Sequence, residues 1–131
     1  MLCRSSSGLV AHYADQMPKW FGDIVATDPN VVMEDLLASL SRGEHELYYC
    51  FGNAGRCIGI VTLTVREKVL CLDGAAGEVM DEWEMLDKGF VALCKEKGCT
   101  SYEFRGRRGF LRTFKKYGMV EKYTVMSRPV T

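Results

Sequence analysis

Gly98-Cys99-Thr100-Ser101-Tyr102-Glu103-Phe104-Arg105-Gly106-Arg107-Arg108-Gly109-Phe110-Leu111-Arg112 decides how this chain is read. Tyr102 and Phe104 alternate with Ser101 and Glu103, the period of a half-buried strand. Arg105-Gly106 ends that strand. A short basic helix follows at once and runs to Tyr117-Gly118. The chain then returns as a strand-like segment, Val120 to Ser127.

Upstream of this stretch, Trp83, Leu86, Phe90, Leu93 and Cys94 form one apolar stripe at helical spacing, predicting a long helix from Val79 to Lys97. Lys95, Lys97 and Gly98 give that helix its C-terminal signature. Before it lies an antiparallel meander over residues 46–72: Glu46 to Phe51, the turn Gly52-Asn53-Ala54-Gly55, Arg56 to Val65, the tight turn Glu67-Lys68, and Val69 to Leu72. Asp73-Gly74-Ala75-Ala76-Gly77 reads as the loop from meander to helix.

The first 45 residues read as helical. A serine among Ser5-Ser6-Ser7 can cap a helix over residues 9–25, which Pro18 should kink or split. Asp28-Pro29-Asn30 marks a loop and cap. A second helix, Val31 to Arg42, carries Val32, Leu36, Leu37 and Leu40 on one side and stops at Gly43. Residues 2–4 fit a short first strand. The result is an α/β plan with a mixed sheet, in the order βααβββαβαβ.

A chain of 131 residues fits one domain, residues 1–131. Formal net charge is zero, but its distribution is uneven. Residues 105–131 hold eight basic side chains against one acidic, a net of +7, which leaves −7 for residues 1–104. The basic patch over 105–116 could attract nucleic acid, although no nucleic-acid motif accompanies it. It could equally pair with the acidic stretch 78–87, within the molecule or on a second copy. The six cysteines form no C-x-x-C pair and have no histidine at ligand spacing, so they read as reduced thiols of a cytoplasmic protein without a metal. His12 and His45 are isolated. No signal peptide or membrane span is legible.

In element order the chain resembles the GNAT N-acetyltransferase superfamily. Trp83, Lys97-Gly98-Cys99, Gly106-Arg107-Arg108-Gly109-Phe110 and Tyr117-Gly118 are similar to the small GNAT-like proteins of phages and prophages. The resemblance implies an acyl-CoA-dependent N-acyltransferase using acetyl-CoA, with a small amine or a protein as acceptor and direct attack by the amine in a ternary complex. It equally admits a degenerate relative: a non-catalytic phage virion protein using the fold as an interaction module, in the virion or the host cytoplasm. It places the cofactor pyrophosphate on the loop Leu72, Gly74, Ala75, Ala76 and Gly77 and on Arg107 and Arg108. The family's leading Gln or Arg is absent there. Glu78, Asp81, Glu82 and Glu84 crowd the helix start, where they complement its dipole and compete with an anion. The expected general-acid tyrosine falls on Phe114, with Tyr117 the substitute. Glu67 and Asp73 are the candidate general bases.

Overall fold

The structure, a computed structural model, describes residues 1–27 and 32–104. The short basic helix, the closing strand and the Asp28-Pro29-Asn30 loop expected from the sequence lie outside the described residues.

Among the described residues a five-stranded sheet runs in the order β1 (Leu2–Arg4), β2 (Glu46–Phe51), β3 (Cys57–Arg66), β4 (Val69–Gly77) and β5 (Ser101–Phe104). The first four strands pair antiparallel and β5 joins β4 in parallel. A parallel neighbour needs a crossover, here the 14-residue helix α4 (Trp83–Glu96). The mixed sheet and the meander over 46–72 are as the sequence predicts. Residues 2–4 do form the first strand.

Side chains alternate across the sheet. On the α4 face, Tyr48, Cys50, Val61, Leu63, Leu70 and Leu72 pack with Trp83, Leu86, Phe90 and Leu93. On the other face, Tyr49, Ile60 and Ala76 meet Trp20, Ile24 and Leu36. Burial in the α4 layer pushes the Cys50 thiol up to about 12 and the Cys94 thiol up to about 11, so both behave as small apolar groups.

The single helix expected over residues 9–25 is two: α1 (Ser7–His12) and α2 (Met17–Thr27). The Ser6 hydroxyl caps α1 by accepting from the Leu9 N–H at 3.3 Å. Pro18 falls in the first turn of α2, where its missing N–H costs no intrahelical bond. Helix α3 is Met33–Ser41, two residues shorter at its start than expected, and its N-cap Val32 offers no side-chain oxygen. Its inward stripe is Leu36, Ser39 and Leu40, while Val32 and Leu37 are exposed.

Two corrections bear on function. Asp73 to Gly77 is not a loop: β4 continues through it, pairing Gly74 with Thr62, Ala75 with Val61, Ala76 with Ile60 and Gly77 with Gly59. The long helix also begins later than Val79. A 3-10 turn (Val79–Glu82) precedes α4, so only Glu84 of the four acidic residues lies in the helix's first turn.

Candidate functional site

The extension of β4 is interrupted once. Leu63 pairs with Leu72 and Thr62 with Gly74, so Asp73 is an extra residue, a β-bulge. Leu72 packs in the α4 layer. The bulge then puts Asp73 and Gly74 together on the α2–α3 face. A β-carbon at Gly74 would lie 2.7 Å from Ile24 Cγ2 and 2.9 Å from Thr62 Oγ1. Glycine therefore lets α2 sit close beside the bulge.

Asp73 is the centre of a polar cluster. His45 Nε2 lies 2.7 Å from its Oδ2, and Arg66 Nη2 donates to its Oδ1 at 2.8 Å. Arg66 Nε meets Cys71 Sγ at 3.4 Å, which braces the guanidinium along the strand pair. On the other side of the imidazole, His45 Nδ1 lies 2.5 Å from Ser39 Oγ. Ser39 Oγ is in turn 3.4 Å from Glu44 Oε2, and Arg42 holds Glu44 through two bonds of 2.9 and 3.0 Å.

Backbone bonds fix this geometry. The N–H groups of Glu44 and His45 both point at the Ser39 carbonyl, at 3.0 and 3.4 Å, folding the α3–β2 turn back over the last turn of α3. Thr64 Oγ1 then donates to the Glu44 carbonyl at 2.9 Å and ties the turn to β3.

The sequence-predicted residues divide. Asp73 sits in the cluster, its side chain 18% exposed. Glu67 does not. It occupies the β3–β4 turn with φ 57°, at the end of β4 opposite Gly77. Val69 to Gly77 is eight steps, ~26 Å of strand. A β-branched or long side chain in the left-handed region costs roughly 1–2 kcal/mol. Glu67→Gly is therefore expected to raise stability by up to ~1 kcal/mol in urea unfolding and to leave acyl transfer unchanged. A large loss of activity would restore Glu67 as a base.

Leu72 and Ala76 are buried, and Ala75 packs with the α4 layer. The small residues Gly74 and Gly77 are set by neighbouring protein atoms. At Gly77 a β-carbon would lie 2.3 Å from the Ile58 carbonyl oxygen. What β4 offers a ligand is its backbone edge: beyond Leu72 the described residues pair it with β3 alone. Glu78, just past that edge, is paired with Arg56 at 2.6 Å. Arg107, Arg108 and Tyr117 lie outside the described residues.

Ser39 and His45 were not among the sequence candidates. His45 and Asp73 are 28 residues apart, and no local motif joins them. The one available signal was a polar residue, Ser39, at a position where the α3 stripe needs an inward side chain.

Neither a protein-family profile nor any curated protein sequence matches the chain. Solved structures do. A Trypanosoma brucei acetyltransferase superposes with a TM-score of 0.63 at 13% identity, covering 99% of each chain. Glucosamine-6-phosphate N-acetyltransferase from Arabidopsis thaliana gives 0.60 at 14% identity, covering 100% of this chain and 98% of that one. AAC(6')-Iy, solved with the bisubstrate analogue CoA-S-monomethyl-acetylneamine, gives 0.62 at 12% identity, covering 100% and 98%. The chain has the GNAT acetyltransferase fold. Among the described residues no helix is long and apolar enough to cross a membrane.

Proposed function

We propose that the protein is an acyl-CoA-dependent N-acyltransferase for a small amine-bearing acceptor, with the Asp73 carboxylate receiving the acceptor's ammonium group. The observation that carries this reading is the bulge. Asp73 then lies at the inner end of a strand edge that runs four residues, ~13 Å, to Gly77, ahead of the 3-10 turn that leads into α4.

The residues fit an acyl-CoA in a specific way. A pantetheine arm is a short chain with two amides, and an exposed strand edge recognises amides through alternate backbone N–H and C=O groups. The β4 edge from Asp73 to Gly77 would hold it. Backbone N–H groups at the start of α4 would face the phosphates, as any α-helix start favours an anion. The bound cofactor supplies an acyl thioester.

Overall, an ammonium and a thioester become an amide, a thiol and one free proton. A C–N bond forms and a C–S bond breaks. Of the two protons the nitrogen sheds, one ends on the thiol and one must reach water. In this reading Asp73 takes the latter before attack, because only the unprotonated amine has a lone pair. Supply of the thiol proton falls to Tyr117 in the sequence reading.

The amino-sugar chemistry in the names of two of the neighbours makes amino sugars the first acceptors to try. The phage relationship and the virion role draw no support from those neighbours. Calorimetry with acetyl-CoA, followed by thiol release with an amino-sugar panel, tests the proposal. Micromolar cofactor binding and amine-dependent thiol release are expected. No binding at millimolar acetyl-CoA would overturn it and leave the fold as an interaction module.

One variant should improve binding. Glu78 puts a negative charge beside the expected phosphate position, and two like charges about 4 Å apart in water repel by about 1 kcal/mol. Glu78→Gln is expected to tighten CoA binding by about two- to fivefold, most clearly at low salt. Unchanged affinity across a salt series would place the phosphates elsewhere.

A further inference from the structure

We propose that Ser39 and His45 are positioning residues that brace the Asp73 carboxylate for the acceptor's ammonium group. The inference rests on the acyltransferase reading for the identity of the ligand. The brace itself rests on geometry. His45 Nε2 lies 2.7 Å from Asp73 Oδ2, and His45 Nδ1 lies 2.5 Å from Ser39 Oγ. Ser39 also grips the backbone: the His45 N–H points at the Ser39 carbonyl at 3.4 Å. The last turn of α3 thus holds His45 at both its main chain and its ring.

The direction of each hydrogen bond follows from the donors available. An ionised carboxylate only accepts, so the hydrogen of the 2.7 Å contact sits on Nε2. In a neutral imidazole Nδ1 is then the acceptor, and the Ser39 hydroxyl donates to it. A second proton on the ring would reverse that one bond. Nδ1–H would donate to Ser39 Oγ, and the hydroxyl would turn to Glu44 Oε2, 3.4 Å away. Nε2–H stays on Asp73 in both states. No proton passes along the cluster. The hydroxyl, donor and acceptor through one oxygen, keeps the imidazole in place whichever form it takes.

Asp73 is thereby held from two sides, by Arg66 Nη2 on Oδ1 at 2.8 Å and by His45 on Oδ2. A carboxylate has about four lone-pair positions, so about two remain for a ligand. Arg42 holds Glu44 and keeps it from competing for the ring. Ser39 is 7% exposed, so water does not readily replace its hydroxyl, whereas the Asp73 side chain, at 18%, still opens to solvent.

Ser39→Ala removes the donor to Nδ1 and leaves the Asp73–Arg66 pair. In thiol-release kinetics it is expected to lower kcat/KM for the amine about three- to tenfold, the contribution of one hydrogen bond, and to leave the KM for acetyl-CoA unchanged. His45→Gln, whose amide N–H can reach Asp73, should keep most of the activity that His45→Leu loses, a difference that a packing role would not produce. A urea melt on each variant checks that it is folded. An active Ser39→Ala enzyme with the wild-type kcat/KM for the amine would overturn the proposal and leave the acyltransferase reading intact. Proton and nitrogen NMR of His45 tests the brace without turnover. In the wild type the hydrogen is expected on Nε2, in slow exchange with water, and Ser39→Ala should speed that exchange severalfold. A wild-type ring with a bare Nε2, or equal exchange rates in the two proteins, would sink the brace. Slow exchange in the wild type and fast exchange in folded Ser39→Ala, in a protein that transfers no acyl group, would keep the brace and remove the acyltransferase reading alone.

Discussion

Asp73→Asn is expected to lower kcat for acyl transfer by ~10²–10⁴, the usual contribution of a positioned general base, with acetyl-CoA affinity nearly unchanged. Asparagine is isosteric, so the register on either side of the bulge, Leu63 with Leu72 and Thr62 with Gly74, has no steric reason to move. The chemistry at the two oxygens does change. Asp73 faces a ring nitrogen of His45 on Oδ2 and an N–H of Arg66 on Oδ1. An asparagine has one carbonyl oxygen and one NH₂ group. If the oxygen keeps Arg66, the NH₂ faces His45 and forces the imidazole to present a bare Nε2. If the oxygen keeps His45, two donors confront each other at Arg66. The second arrangement costs about 1–3 kcal/mol, so the first should prevail and invert the tautomer at Nδ1. Thiol-release kinetics and a urea melt on one preparation separate the effects. A kcat within twofold of wild type would remove Asp73 from the mechanism.

The same residues show what was legible in the sequence and what was not. The α4 stripe was readable because helical period is a local property: Trp83, Leu86, Phe90, Leu93 and Cys94 are all buried. The meander was readable because alternation and turn residues are local too. Asp73 to Gly77 misled because glycine and alanine next to an aspartate look like a loop by composition. Their smallness answers to Ile24, Thr62 and Ile58, neighbours brought in from α2 and β3. No window on the sequence contains those contacts. Leu37 fits the α3 period yet is exposed, and Ser39 breaks it yet is buried. The sequence assigned hydrophobic residues to the inward face, whereas the α3–β2 turn offered polar partners, His45 and Glu44, at that point. His45 looked isolated for the same reason. Its partners come from the previous helix and from a strand two hairpins later, and only the register of β2 on β3 and β3 on β4 brings them together.

Trp83→Ala is expected to destabilise the fold by ~3–5 kcal/mol, the range for truncating a buried large aromatic. Trp83 is the first residue of α4 and only 1% exposed. Its ring lies 5.2 Å from Phe90, 5.6 Å from Phe104 and 6.4 Å from Tyr102, centroid to centroid. It therefore joins the start of the helix to its own second turn and to β5, which pairs in parallel with β4. Aromatic pairs at such separations add about 0.5–1.5 kcal/mol beyond the area they bury. A domain of this size has about 5–15 kcal/mol in total, so the loss would consume a large share. The consequence reaches the site, because the position of α4 sets where its first N–H groups point relative to the β4 edge. Trp83→Phe should cost less than half as much, since a ring still fills most of the space. Val91→Ala, on the exposed face of the same helix, should stay within ~0.5 kcal/mol. Urea unfolding of the three variants gives the ranking. A Trp83→Ala loss no larger than that of Val91→Ala would mean that α4 is not anchored to the sheet through this residue, and the link from the core to the proposed cofactor edge would fail with it.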